Sequence, residues 1–253
     1  MSSEPYRFPA ELVYDVYTTT RNRFKSPPIE GLDVAQLRPV GRHEAPERFG
    51  RNVLPQNGIP DPAPEVLEEL LKSTYVYRVR LALDEPTTLE YLAYGLKTAE
   101  SLAKACGGVI RDVQTGLVFK HEDARRVLKS PSFSISDHVL VHALREADDR
   151  GLWMHTHGMA KFGRPDVEAR NVPLAFQPLA SFGLLTLADY LSQGSVVRPG
   201  ETMKLGEAIL GFSKGKPSDT EPFPTGVLTI DDFDPATRSS LVGITRWLTT
   251  ESR

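Results

Sequence analysis

Cysteine is all but missing from this chain: Cys106 stands alone among 253 residues. A single thiol excludes an internal disulfide and any zinc cage built on cysteine. Long apolar runs are lacking as well. No stretch approaches the roughly 20 apolar residues of a spanning helix, and Met1 to Pro9 is polar, without the apolar centre of a secretory signal. Nor is there an excess of one charge. Lys and Arg number 30 against 33 Asp and Glu, a net charge of −3, so no global field draws the chain to nucleic acid or an anionic membrane. These absences predict a soluble, cytoplasmic protein with no nucleic-acid or membrane partner, and they leave self-association open.

Proline is plentiful but uneven. Ten of the 20 prolines precede residue 65, and each removes a backbone donor and pushes its predecessor out of helical space. Residues 1–64 therefore read as a Pro-rich N-terminal arm, irregular over Arg21 to Pro62, with residues 65–253 as one domain. The arm holds eight basic and eight acidic residues, unlike the lopsided charge of a nucleic-acid arm.

In the body, the patterns predict a short helix over 65–72, opened by Pro64, and a strand over 75–83, where β-branched and aromatic residues alternate. Leu89, Leu92, Leu96, Ala99, Leu102 and Cys106 then recur at spacings of three and four, a helical stripe that Gly107 is suited to stop. Short strands are expected at 109–111 and 117–119, and a helix over 122–129. Strands at 138–147 and 152–160 form a hairpin about the turn Asp148-Asp149-Arg150-Gly151. A helix over 178–191 follows, with Leu179, Phe182, Leu185 and Ala188 inward. Two strands flank Arg198-Pro199-Gly200-Glu201, and a last helix starts at Asp234 with Leu241, Ile244 and Leu248 on one stripe. The order is that of an α+β fold: a mostly antiparallel sheet with helices on one face, with an arrangement in two strand–helix–strand halves left open.

The sharpest chemical pattern is Trp153-Met154-His155-Thr156-His157-Gly158-Met159. Alternate residues of a strand share a face, so Trp153, His155, His157 and Met159 are expected to point together. Folding the hairpin about Asp149-Arg150 sets Glu146 opposite Trp153, Leu144 opposite His155 and His142 opposite His157. Three imidazoles then cluster, with Glu146 at one edge as a candidate general base. Neutral imidazoles bind divalent metals. Asp166 and Glu168, beyond a bend at Gly163, are placed to return toward the same face. The candidate metal ligands are His142, His155, His157 and Glu168, with a divalent metal as the cofactor implied. The candidate binding surface is Trp153, His155, His157, Met159, Asp166 and Glu168.

The His-Thr-His element resembles the start of the JAMM/MPN+ metalloprotease motif, His-Ser/Thr-His followed by Ser and Asp at fixed spacing. This chain has Pro165 where that family has Ser, Glu168 where it has Asp, and Gly158 where a proline is usual. Leu152 to Met159 with Phe162 to Glu168 is similar to a signature of uncharacterised bacterial domain-of-unknown-function families: Trp-x-His-Thr-His-Gly-Leu/Met, a spacer, then Pro-Asp/Glu-aliphatic-Glu. Gly107 to Gly116 resembles another recurring piece of them. The resemblance spans 75–213 and implies an α+β fold and a bacterial source, but no activity.

Other motifs have plainer readings. Gly211-Phe212-Ser213-Lys214-Gly215 has the spacing of a nucleophile elbow, yet no histidine follows the serine and Gly215-Lys216-Pro217-Ser218-Asp219 cannot start a good helix at the right place. Cys106 ends an apolar stripe and reads as a buried thiol. Three functions remain: a non-catalytic binding or self-association module using the His/Trp face, a metal-dependent hydrolase with a His-x-His site, and a metal-free acid–base enzyme using the same histidines.

Overall fold

The computed structural model describes residues 8–21, 38–54, 59, 61–84, 86–145, 151–205, 208–215 and 223–232. Glu146, most of the turn after it and the helix expected from Asp234 lie outside these residues. The α+β class is borne out, but the chain divides into two compact units, Pro9–Phe133 and Ser134–Arg253, with Met1–Phe8 joining the second.

Pro9–Phe133 is built on an antiparallel sheet of five strands. In chain order its elements are β1 (Ala10–Thr18), β2 (Val40–Gly41), α1 (Pro64–Lys72), β3 (Tyr75–Leu83), α2 (Glu90–Cys106), β4 (Val109–Asp112), β5 (Val118–Phe119) and α3 (His121–Leu128). The strand order is β2-β3-β1-β4-β5. Residues 10–18 are thus the middle of a sheet, where an arm was expected. Their sequence AELVYDVYT alternates Leu12, Tyr14 and Val16 with Val13, Asp15 and Tyr17, a strand signal that the surrounding prolines obscure.

The two faces of this sheet take different cover. Leu12 and Leu81 pack against Gly95 of α2 so closely that a Cβ there would meet Leu12 Cδ2 at 2.1 Å. On the other face Tyr17, Val76 and Val109 join Val66 and Leu70 of α1 and Phe49, Val53 and Leu54. The last three belong to the stretch read as an irregular arm. Two 3-10 turns, Pro46–Arg48 and Gly50–Val53, carry them into the core, because their prolines limit regular structure without preventing burial. Helices therefore cover both faces, not one. Each fully buried Leu of these layers contributes roughly 1.5–3 kcal/mol.

At the end of α2, Gly107 adopts the left-handed cap (φ 61°) and Gly108 N–H donates to Ala103 O, as the stop signal predicts. The Cys106 thiol is buried, which raises its pKa, and the Cys106 carbonyl accepts from Thr18 Oγ1 at 2.8 Å.

Ser134–Arg253 contains β6 (Leu140–Arg145), β7 (Leu152–His157), β8 (Asp166–Val172), α4 (Gln177–Ser192), β9 (Thr202–Leu205), β10 (Ala208–Lys214) and β11 (Val227–Asp232). The sheet order is β6-β7-β8-β11-β10-β9, antiparallel except for the parallel pair β8–β11. α4 lies against β6, β7 and β8. Its inward stripe is Ala180, Leu184, Leu187, Ala188 and Leu191; Phe182, expected inside, is 60% exposed. The small residues Ala180 and Gly183 are also on the buried side. The span Leu174–Ser192 is long and apolar enough to cross a membrane by length and composition, a run the sequence reading overlooked; its buried side belongs to this layer.

Gly108 marks a close approach that a variant can test. A Cβ there would lie 2.4 Å from the Tyr17 carbonyl oxygen, whereas Gly107 has open space and only its positive φ to forbid a side chain. Gly108→Ala is expected to cost about 2–3 kcal/mol by overpacking, and Gly107→Ala about 1 kcal/mol by backbone strain. Urea denaturation followed by far-UV circular dichroism measures both, and a Gly108→Ala protein as stable as wild type would contradict the packing described.

Candidate metal centre

β7 is buried over its whole length, and its pleat sorts two chemistries. Met154 faces one way, with Val167 and Ala169 of β8, all fully buried. Trp153, His155 and His157 face the other, as the alternation predicts. The partner strand sits two residues from the expected register. His142 pairs with His155, Leu140 with His157 and Leu144 with Trp153. A shift of two preserves the face, so His142 still joins its fellows.

The three rings form one cluster. Centroid separations are 4.3 Å for His142–His157, 5.0 Å for His155–His157 and 5.3 Å for His142–His155. One ligand nitrogen from each lies within 4.8 Å of the other two. The Trp153 indole packs on His155 at 4.2 Å. Phe223, just ahead of β11, stacks on His157 at 5.3 Å and meets His155 edge-on at 5.4 Å.

Glu168 lies opposite His155 but is not one of the converging donors. Its carboxylate is held by three strands. Trp153 Nε1–H donates to Oε2 at 2.6 Å, Arg170 Nη2 to the same oxygen at 3.0 Å, and Thr229 Oγ1 to Oε1 at 2.5 Å. The Arg170 guanidinium also covers the Trp153 ring at 4.4 Å. A bulge between Leu152 and Met154, with Asn171 at φ 56°, takes up the extra β8 residue beside Trp153. Gly215 leaves room for all this: a Cβ there would lie 3.0 Å from Glu168 Oε1 and 2.4 Å from Val227. That is the work of the last glycine in Gly211-Phe212-Ser213-Lys214-Gly215, whose serine lies inside β10 and not at a strand–helix elbow.

Asp166 is buried at the start of β8, accepting from Thr156 Oγ1 at 2.9 Å and Met159 N–H at 3.3 Å. Met159 has left the strand: Gly158, at φ 121°, turns the chain into the 3-10 turn Met159–Phe162. Trp153, His155, His157, Met159, Asp166 and Glu168 are all buried. The face expected as an open docking surface is instead enclosed, because Phe223 and Arg170 cover it.

Burial governs the protonation of this cluster. Desolvation, then the neighbouring His157, His142 and Arg170, lower the His155 pKa from 6.5 to about 2. Its imidazole is therefore neutral and both ring nitrogens lack a hydrogen-bond partner among the described residues. Burial acts oppositely on Asp166, pushed up from 3.8 to about 6 against the pull of His157, Thr156, the Met159 N–H and Lys161.

Three buried nitrogens at this spacing suit a first-row divalent metal. A tetrahedral centre with bonds of about 2.0–2.1 Å needs donors about 3.3–3.4 Å apart. The donors here lie within 4.8 Å of one another, so a bound ion would draw them closer. Imidazole favours zinc, copper, iron and nickel over magnesium or calcium.

Arg170 was legible as the period-two neighbour of Glu168. Phe223 and Thr229 carry no sequence signal, since only strand pairing brings β11 beside β8. No protein-family model, curated protein or solved structure matches the chain.

The two shifted groups oppose each other in metal-free protein. Between about pH 4 and 6 the unfolded chain binds a proton at His155 that the folded chain refuses, which lowers stability as pH falls. Over the same window folded Asp166 binds a proton that the unfolded chain does not, which raises it. Asp166→Asn removes the second effect. Its stability should fall with decreasing pH more steeply than wild type, by up to about 1.4 kcal/mol per pH unit. Both tryptophans lie in Ser134–Arg253, so fluorescence-monitored urea melts with chelator present give the slopes, and equal slopes would refute the assignment.

Proposed function

We propose that this protein is a metal-dependent hydrolase whose single divalent ion, of the zinc class, is held by His142, His155 and His157. The observation that carries the reading is the convergence of three buried imidazoles within 4.8 Å, one of them neutral down to about pH 2. Protons do not compete for such a nitrogen at physiological pH. Three protein donors leave a fourth position for water, and a metal of this class lowers the pKa of bound water to about 7. The ring stack of Trp153 and Phe223 on the imidazoles lowers the local dielectric and fixes their planes. Glu168, with Arg170, positions Trp153 and hence the His155 ring; it is a positioning residue. The base expected at Glu146 lies outside the described residues. The other reading, a docking module, loses support because its face is enclosed.

Elemental analysis tests the proposal on full-length protein purified without a His-tag. About one equivalent of zinc, iron, copper or nickel is expected, removed by chelator and restored on adding the metal. Metal at 100 times its dissociation constant should stabilise the fold by about 2.7 kcal/mol. His142→Gln should lose the metal while keeping the wild-type circular dichroism. Protein without stoichiometric metal, and with no stabilisation on adding zinc, would end this reading. Ester or amide hydrolysis that tracks metal content would establish the hydrolytic part, and metal without any such turnover would remove it.

A further inference from the structure

Pro9–Phe133 carries a second polar cluster that shares nothing with the imidazoles. The antiparallel registers set Asp15 opposite both Arg78 and Arg111, so the three form one transverse row across β3, β1 and β4. Arg48, from the turn Pro46–Arg48, reaches the same carboxylate, Nη2 to Oδ1 at 3.4 Å. The Asp15 side chain is 2% exposed, and Arg78 takes both its oxygens, Nε to Oδ1 and Nη2 to Oδ2, each at 2.8 Å. One guanidinium thereby neutralises the one carboxylate. The next acidic group along β1, Glu11, is held by Arg80 at 2.5 Å.

Among the described residues, two guanidiniums remain in excess. Arg48 Nε and Arg111 Nε are both buried without a hydrogen-bond partner among the described residues, and so is the Tyr17 hydroxyl. Tyr17 is 1% exposed and stands two residues beyond Asp15 in β1, on the same face of the sheet, where the charges of Asp15, Arg111, Arg48 and Arg78 act on its hydroxyl. Burial above all, then Asp15, holds that hydroxyl protonated, pushed up to about 12, so it is a donor. Three buried donor atoms without an acceptor among the described residues thus share one sheet face with more guanidiniums than its carboxylate neutralises. Desolvated donors of this kind are costly unless an acceptor completes them. The Arg48 and Arg78 side chains keep 26% and 35% exposure, so the cluster is reached from solvent.

We propose that Arg48, Arg111 and Tyr17 form a binding site for a compact dianionic oxyanion, a phosphate group. Two guanidiniums match its charge, and a planar guanidinium fits phosphate oxygens better than an ammonium does. The fixed donor Tyr17 Oη–H takes a third oxygen. Free phosphate and the phosphate of a small monoester present the same chemistry.

Isothermal titration of the full chain with inorganic phosphate, and separately with glycerol phosphate, tests the site. Saturable binding at one site per chain is expected, weakened at least about tenfold in Arg111→Gln and in Arg48→Gln, with Tyr17→Phe weaker to a lesser degree. Tighter binding of glycerol phosphate would identify a monoester as the ligand, and equal binding would identify the free ion. Arg111 is half-buried and its Nε has no hydrogen-bond partner among the described residues, so Arg111→Gln should melt at or above the wild-type temperature, and phosphate should raise the melting temperature of wild type alone. Absence of saturable binding for both compounds, or binding that survives Arg111→Gln and Arg48→Gln unchanged, would overturn the proposal.

Discussion

The polar face of the six-stranded sheet depends on one buried carboxylate. Removing an ionised Glu from water costs several kcal/mol even after relaxation, so Glu168 persists only because every oxygen is met. Trp153, Arg170 and Thr229 meet them from β7, β8 and β11. The same bonds that satisfy the charge tie three strands at one level and fix the indole. The indole in turn fixes the plane of His155. A carboxylate that ligates nothing thus sets the geometry of the nitrogens beside it.

Around that anchor the His155 imidazole stays neutral, and this follows from packing. Trp153 and Phe223 pack on the His155 ring, and the neighbouring His157 and His142 disfavour a proton on it. A neutral imidazole costs less to bury than a cation, yet His155 is left with unspent hydrogen-bonding capacity among the described residues. The proposed metal completes that capacity. Glycine enters where space is the constraint: Gly215 admits the Glu168 carboxylate beside Val227.

Pro9–Phe133 solves a related problem differently. There the buried charge is Asp15, and the pleat lines guanidiniums on both sides of it. Arg78 alone suffices to neutralise it, so the further arginines are not explained by Asp15. The apolar cluster around Tyr17 and Phe49 covers only part of this sheet face, so the polar row keeps contact with solvent.

Local pattern by itself determined the elements whose signals are self-contained. The strand at 75–83, the stripe of α2 and its glycine stop, the hairpin and the shared face of Trp153, His155 and His157 follow from periods of two and 3.6 and from capping chemistry. These need no distant partner. Only the tertiary structure decided what depends on residues far apart in the chain. It put residues 10–18 at the centre of a sheet, split the body into two units and set β11 parallel to β8. It also gave the hairpin a register two residues from the one its turn suggested, and closed Phe223 over the rings. The physical reason is that strand partners and burial are set by competition among all surfaces of the chain. A proline-rich neighbourhood or an isolated Phe carries no local trace of that outcome.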